Sequence, residues 1–329
     1  MKYRSRSRGF QSAIVLGFAA VLVGCSGGSN GIATPFAGAS GSPTTGASRL
    51  TALNSLGGAK SSKRVLFVSN LDGDVRIYSA NINEQNPPLI ATITTGTTRP
   101  EGVWVDRHDT LYVENGEHYP AQASIEEYKR GASSPFRTIT DGLGSPGAVA
   151  VDKDGTVYVN SVSGGNTGIV VIYAPGSTTP ERTITLPEAA EYGLNAGGMA
   201  LDPQGNVLAA NNGNATAVHV FKIVPGSWEA TDLGLQGYGG SAIADDGSGN
   251  LYVGGGNGFI AVYPPGATSP SRTITYYTAY GLTATANGTL YAIGSDQVAE
   301  FAPGASSPTN VIDTEIGETF TYDAAIGLQ

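Results

Sequence analysis

The sequence predicts an all-β fold built from repeated units. Short runs of Val, Ile, Tyr and Thr alternate with clusters of Gly, Pro, Asn and Asp, and glycine accounts for 47 of the 329 residues. This pattern is typical of short strands joined by tight turns. One turn-rich phrase is written four times: YKRGASSPFRTIT at 128–140, YAPGSTTPERTIT at 173–185, YPPGATSPSRTIT at 263–275, and a weaker copy, FAPGASSPTNVID, at 301–313.

The spacing of this phrase predicts the blades of a β-propeller. Its glycine recurs at intervals of 38 to 50 residues, at Gly131, Gly176, Gly226, Gly266 and Gly304. Repeats of this length that hold four short strands each are typical of propeller blades. The second strand of each unit is the easiest to count, and it predicts six four-stranded blades over 63–329, with second strands at 65–69, 111–115, 157–161, 207–211, 251–255 and 290–294.

Each strand of a unit has a composition suited to its place in a blade. The first strand is rich in Gly and Ala and ends in Asp, as in GAVAVD (147–152), GGMALD (197–202) and GSAIAD (240–245). Inner strands converge on the propeller axis and must be slim, and the Asp with a following Gly predicts a tight hairpin. The third strand ends in an aromatic residue that fills the wider outer gap. The recurring phrase is therefore predicted to be the outer hairpin of a blade.

The two ends of the folded region predict how the ring closes. The first unit has no first strand before Val65, whereas the chain ends with an extra strand of that type, TYDAAIGL (321–328). We expect this C-terminal strand to complete the blade that begins at Val65, because closure removes a sheet edge.

The N-terminus predicts export and lipid attachment. Residues 1–24 combine a basic start, MKYRSRSRG, with an apolar stretch too short to span a bilayer, which is typical of a signal peptide. The ending LVGC resembles the bacterial lipobox, in which the cysteine is acylated, for example with palmitate. Cys25 is the only cysteine of the chain. The resemblance implies a membrane-anchored lipoprotein on the extracytoplasmic side of the cell envelope, and Ser26 after the cysteine favours the outer membrane. The alternative is an ordinary signal peptide that happens to contain a cysteine.

Composition divides the rest of the chain and limits its partners. Residues 25–62 are mostly Gly, Ser, Ala, Thr and Pro, which predicts a flexible linker before the propeller at 63–329. Without residues 1–24 the chain has 14 basic and 27 acidic residues, a formal charge of −13. Nucleic-acid binding needs clustered Lys and Arg, so this class of partner is excluded. We expect a monomer whose contact with the membrane depends on the lipid at Cys25.

The repeats over 63–329 resemble the NHL-repeat family and its six-bladed relatives, among them the senescence-marker/gluconolactonase group. In that group a Glu that opens an inner strand binds a divalent cation, and PEGVW at 100–104 is similar to that pattern. The resemblance implies Glu101, with Asn195, as ligands of Ca²⁺ or another divalent cation. At the places where the group has its acidic base this chain has Tyr238 and Tyr280, so the residue that would activate water is missing.

The predicted ligand site is the mouth of the propeller, where first strands begin and second strands end. Its candidate residues are Glu101, Glu114, Asn160, Asn195, Tyr238 and Tyr280. His108, His118 and His219 are predicted to lie apart, which argues against a histidine-rich metal centre. We expect a binding or scaffold module for a protein or carbohydrate ligand, with no catalytic residue and no cofactor. One alternative is a metal-dependent lactonase, and another is a structural envelope protein with no small ligand. At the level of the residues, the alternative is a mouth in which Asn residues cap strands, Glu residues are solvated and tyrosines plug the channel.

Overall fold

A computed structural model describes residues 63–80, 86–116, 122–164, 167–187, 195–212, 218–237, 240–256, 258–314 and 321–328. The predicted signal peptide, Cys25, the linker, His118 and Tyr238 lie outside these residues. The described residues form 24 strands and no helix. Accordingly, none of them belongs to a helix long and apolar enough to cross a membrane.

The strands form six antiparallel sheets of four, which we number as blades 1 to 6. Blade 1 contains β1 (Arg64–Asn70), β2 (Asp74–Ser79), β3 (Leu89–Ile93) and β24 (Thr321–Leu328). Blade 2 contains β4 (Pro100–Val105), β5 (Leu111–Asn115), β6 (Ser124–Tyr128) and β7 (Arg137–Ile139). Blade 3 contains β8 (Ser145–Val151), β9 (Val157–Ser163), β10 (Thr167–Tyr173) and β11 (Arg182–Thr185).

The remaining blades follow the same order along the chain. Blade 4 contains β12 (Asn195–Leu201), β13 (Val207–Asn212), β14 (Val218–Ile223) and β15 (Ala230–Asp232). Blade 5 contains β16 (Ala242–Asp245), β17 (Leu251–Gly254), β18 (Phe259–Tyr263) and β19 (Arg272–Thr275). Blade 6 contains β20 (Gly281–Ala284), β21 (Leu290–Ile293), β22 (Gln297–Phe301) and β23 (Asn310–Asp313).

The C-terminal strand closes the ring. In blade 1, β24 lies antiparallel to β1, with Leu66 opposite Ile326 and Val68 opposite Ala324. The inner strands β24, β4, β8, β12, β16 and β20 contact one another in a complete circle. The protein is a six-bladed β-propeller. The predicted fold, blade number and closure are all confirmed.

The hydrophobic core lies between the blades. It divides into six clusters, and each is shared by two neighbouring blades. Alternate residues of β1 illustrate the cause, because Val65 and Phe67 pack towards blade 2 whereas Leu66 and Val68 pack towards blade 6. Both faces of a blade are therefore buried, which explains why the second strands are apolar runs.

The inner strands are slim because they touch. An added Cβ at four inner-strand glycines would meet the inner strand of the next blade: Gly102 at 3.0 Å from Ala148 Cα, Gly147 at 2.2 Å from Ala196 O, Gly197 at 2.8 Å from Ser241 O, and Gly281 at 2.7 Å from Tyr322 O. These distances are shorter than van der Waals contact, so a side chain at these positions would push two blades apart.

The aromatic residue that ends the third strand joins neighbouring blades. In four blades it is a buried tyrosine whose hydroxyl donates to a backbone carbonyl just after the outer strand of the preceding blade. The pairs are Tyr78 with Thr314 (3.3 Å), Tyr128 with Thr95 (2.8 Å), Tyr173 with Asp141 (2.6 Å) and Tyr263 with Gln236 (3.2 Å). The repeated Tyr thus supplies packing and one directional hydrogen bond per interface.

The hairpin after the inner strand depends on an aspartate, with one correction to the sequence prediction. Asp152 Oδ1 accepts hydrogen bonds from the backbone N–H groups of Asp154 and Thr156. In blade 5 the equivalent residue is Asp246, which accepts from Ser248 and Asn250, and not Asp245, which ends GSAIAD. Asp245 is still within the strand ladder, opposite Leu251. The sequence alone cannot show which of the two adjacent aspartates, Asp245 or Asp246, caps the turn.

Candidate functional site

The register of the inner strands aligns two rings of residues at the end of the channel where these strands begin. When the six inner strands are aligned by their equivalent ladder pairs, the residues near their beginnings form a mouth ring. The next residue of each strand belongs to a second ring, one residue further into the channel. The mouth ring consists of Glu101, Gly147, Gly197, Ser241, Tyr280 and Tyr322. The second ring consists of Gly102, Ala148, Gly198, Ala242, Gly281 and Asp323.

The mouth ring has two different halves. Blades 3, 4 and 5 contribute Gly147, Gly197 and Ser241, which leave space. Blades 6, 1 and 2 contribute Tyr280, Tyr322 and Glu101 instead. The rings of Tyr280 and Tyr322 stack with centroids 6.4 Å apart at an interplanar angle of 18°. One side of the opening is therefore small and the other is aromatic and acidic.

A cavity of about 470 Å³ runs along the axis behind this mouth. It is lined by five of the mouth-ring residues and by Asp323, and it reaches Arg64, Asp109 and Leu328 at the opposite end of the inner strands. Gly, Ala and larger aliphatic residues of the inner strands make up most of its walls. A cavity of this size suits a small ligand or a side chain of a partner.

A bulge in β4 holds two carboxyl groups of the site. The ladder between β4 and β5 shifts register between Pro100 and Val103, and two consecutive backbone N–H groups at this bulge donate to carboxyl groups. Gly102 N–H donates to Glu114 Oε2 at 3.0 Å, and Val103 N–H donates to Asp323 Oδ2 at 3.2 Å. The bulge thus brings acids from β5 and from the closing strand to the start of β4.

Glu101 and Glu114 are both shielded from water, to different degrees. Glu114 is 0% exposed, and its Oε1 has no hydrogen-bond partner among the described residues. Burial, followed by the nearby charge of Glu101, raises the pKa of Glu114 well above its usual value. The Glu101 side chain is 12% exposed and lies 3.2 Å from the Arg99 guanidinium. Burial raises its pKa as well, and Arg99 opposes the change.

Asp323 is the carboxyl group of this site whose pKa is raised into the neutral range. Burial raises its pKa to about 7, and the hydrogen bond from Val103 N–H limits the increase. A carboxyl group with a raised pKa binds its proton more tightly in the folded chain, so stability falls as pH rises from about 4 to about 7. Tyr322 beside it has its pKa raised to about 12, by burial and then by Glu101 and Glu114. Asp323 is therefore held in the wall of the cavity at a cost to folding.

The remaining predicted site residues are Asn160, Asn195 and Tyr238. Asn160 is buried, and its amide nitrogen donates to the backbone oxygens of Gly197 (2.9 Å) and Ala210 (2.7 Å), so it links blades 3 and 4. Asn195 begins β12, but the structure does not describe its side chain, and it does not describe Tyr238. The described residues contain no group of three His, Cys, Asp or Glu side chains placed to hold a metal ion. A metal at Glu101 and Asn195 stays a prediction.

Sequence reasoning missed Tyr322 and Asp323. The sequence pattern predicts TYDAAIGL as the closing strand, but it does not place these two residues at the mouth. A signal was present, because Asp323 is a charged residue within an inner strand whose counterparts in the other five blades are Gly or Ala. Finding it required the register that places these six residues in one ring.

Comparison with known proteins supports the fold alone. No protein-family model matches the sequence, and no curated protein matches it. Among solved structures, a chain of a nidogen/laminin complex superposes with a TM-score of 0.63 at 15% identity, covering 80% of this chain and 98% of that chain. A chain of Kuenenia stuttgartiensis hydrazine synthase superposes with a TM-score of 0.55 at 16% identity, covering 77% of this chain and 81% of that chain. At such identities the similarity extends to architecture and not to function.

Proposed function

We propose that this chain is a bacterial envelope lipoprotein whose propeller binds a protein or carbohydrate ligand at the mouth. The sequence LVGC and the single cysteine, Cys25, support lipid attachment. Residues 25–62 would then act as a flexible tether on the extracytoplasmic side of the membrane, and Ser26 favours the outer membrane. Because the chain is acidic, the lipid supplies the attachment to an anionic surface.

The asymmetry of the mouth ring is the observation that carries the binding role. Packing of the inner strands requires only small residues, as Gly147 and Gly197 show. Tyr280, Tyr322 and Glu101 are larger than that requirement, and they occupy one side of the mouth ring, where both tyrosines line the cavity. Aromatic rings beside carboxyl groups are typical of sites for sugars and for polar side chains of proteins.

The fold is compatible with binding and with catalysis. One similar structure is a nidogen/laminin complex and the other is a hydrazine synthase, so a propeller of this shape occurs in a protein complex and in an enzyme. The choice between binding and catalysis therefore has to be argued from the residues of the site. Glu101 is paired with Arg99, and Asn160 links two blades. Both side chains are thus occupied by contacts within the protein, which favours a binding role over metal-dependent catalysis. A metal-dependent lactonase stays the alternative prediction.

Crosslinking on intact cells tests the ligand site. Tyr280→Ser removes a mouth-ring side chain that is 38% exposed. Tyr277→Ser is the matched control, since Tyr277 is 51% exposed but its hydroxyl contacts Ser295 and Asp296, and it does not line the cavity. We expect the crosslinked partner or glycan to be lost with Tyr280→Ser and retained with Tyr277→Ser. Equal crosslinking by both variants would contradict a ligand site at the mouth.

Membrane fractionation tests the anchor separately. Cys25→Ser removes the only thiol and leaves residues 1–24 unchanged. We expect the wild-type chain to incorporate labelled palmitate and to sediment with outer membranes, and the variant to be exported without label or sedimentation. A variant that still sediments with membranes after an alkaline wash would refute lipid anchoring at Cys25.

A further inference from the structure

We propose that the mouth binds a protonated amine, with the nitrogen between the Asp323 carboxyl group and the paired rings of Tyr280 and Tyr322. This inference rests on the proposed binding function and specifies the chemistry of the ligand. The amine could belong to a lysine side chain of a partner protein or to an amino sugar. Both sources present the same group to the mouth, and the experiment below separates them.

The charge distribution selects a cation. The carboxyl groups of Glu101 and Asp323 each lie within electrostatic reach of Glu114, and Arg99 is already 3.2 Å from Glu101. Glu114 adds a fully buried oxygen, Oε1, that has no hydrogen-bond partner among the described residues. Glu101 is paired with Arg99, and the raised pKa of Glu114 favours its neutral form, but no basic side chain among the described residues pairs with Asp323. Ionised Asp323 would therefore repel an anionic ligand, whereas a cation would compensate its charge.

The geometry of the cavity gives an ammonium group access to Asp323. Asp323 and both tyrosines line the same cavity of about 470 Å³. Across from Asp323 stands Gly281, where an added Cβ would lie 2.6 Å from Asp323 Oδ1. Because Gly281 has no side chain, no Cβ crowds this oxygen from β20, where the backbones of the two strands are in close contact. Oδ2, on the other side of the carboxyl group, receives the Val103 N–H.

An ammonium group can also use the backbone of the inner strands. In each of the six sheets the inner strand is terminal, so one of its edges faces the axis without a strand partner. Carbonyl oxygens on such an edge accept hydrogen bonds, and an ammonium group has three N–H donors to distribute. The faces of tyrosine rings attract cations in addition, by about 0.5 to 2 kcal/mol in general.

Proton release should accompany binding. A bound cation favours the ionised form of Asp323, whose pKa is raised by burial to about 7. The charged or titratable side chains around it are Tyr322 on the same strand, Glu101 and Arg99 from the start of blade 2, Glu114 from β5, and Tyr280 beside β20. Affinity should therefore rise with pH up to about 7 and level off above it.

Calorimetric titration of the full chain in detergent provides the test. Nα-acetyl-lysinamide and glucosamine are the amine probes, and Nα,Nε-diacetyl-lysinamide and N-acetylglucosamine are their neutral counterparts. We expect at least one amine to bind at least tenfold more tightly than its acetylated form. For the lysine probe, whose amine stays protonated, affinity should rise about 20-fold from pH 5.5 to 7.5 if only ionised Asp323 binds it.

Two aspartate variants complete the test. Asp323→Asn retains an oxygen for Val103 N–H, and it should lose at least tenfold in affinity and most of the pH dependence. Asp245→Asn is the control, because burial also raises the pKa of Asp245 to about 7 but this residue lines a different cavity, between blades 4 and 5. It should bind like the wild type. Circular dichroism melting confirms that both variants are folded.

The outcomes separate this inference from the proposed function. Binding of only one amine identifies its source, protein or sugar. Acetylated probes that bind as well as the amines, or no binding by any probe at 10 mM, overturn the amine inference. The mouth can still be a ligand site in that case, and Tyr280→Ser in the crosslinking experiment reports on it independently.

Discussion

Replacing Gly147 by alanine tests the close contact of the inner strands most directly. The new Cβ would lie 2.2 Å from Ala196 O and 2.9 Å from Ala196 C, both in the backbone of β12. Ordinary carbon–oxygen contacts are about 1 Å longer, so β8 and β12 must separate by about that amount. Backbone atoms on both sides leave no side chain that can turn away.

The expected cost follows from this displacement. Overpacking of a well-packed interior costs about 1 to 3 kcal/mol, and we expect the upper half of that range because the ring is closed. For a domain of this size the melting temperature should fall by about 5 to 10 °C. Thermal unfolding followed by circular dichroism measures the change.

Gly164→Ala is the matched control for this experiment. An added Cβ at Gly164 meets no atom within 4 Å, and its φ lies outside the left-handed region. Both substitutions reduce the entropy of the unfolded chain to the same extent, so the difference between them isolates the contact. If Gly147→Ala and Gly164→Ala had the same melting temperature, the packing explanation for small inner-strand residues would be refuted.

Three further predictions concern other parts of the fold. Tyr173→Phe should lower the free energy of unfolding by about 1 kcal/mol in urea titration, because it removes only the hydrogen bond to Asp141 O; no loss would show that this bond contributes nothing. A chain that ends before Thr321 lacks β24, and it should lose its cooperative thermal transition; a transition like that of the full chain would contradict closure by this strand. Asp323→Asn should gain stability over the wild type by about 2 to 3 kcal/mol more at pH 8 than at pH 5, because the wild type alone pays to ionise a buried carboxyl group. A stability difference for Asp323→Asn that stays constant between pH 5 and pH 8 would refute the raised pKa.

The architecture could be predicted from sequence because it depends on local patterns that repeat. Turn glycines illustrate this, since Gly131, Gly176, Gly226, Gly266 and Gly304 all have φ between 71° and 93°. A single such glycine says little, but five at blade-length intervals define a period. Closure followed from the same count, because one strand was missing at the start and one was left over at the end.

The candidate site was only partly predictable, and the reason is geometric. Glu101 and Tyr280 were found because each precedes or opens an inner strand. Asp323 was missed because its environment depends on a bulge in β4, a strand more than 200 residues away. Asn160 likewise looked like a mouth residue, although the carbonyl groups it binds belong to the next blade. Long-range backbone geometry of this kind leaves no local pattern in a sequence.

The place where the propeller begins affects how it bears mechanical load. Arg64 starts β1, which lies second in its sheet, between β24 and β2. Six residue pairs join β1 to each of these neighbours. A pull along β1 through the residues before Lys63 therefore shears two ladders at once, instead of peeling an edge strand one bond at a time. A chain fastened in this way should resist being unravelled from its N-terminal side.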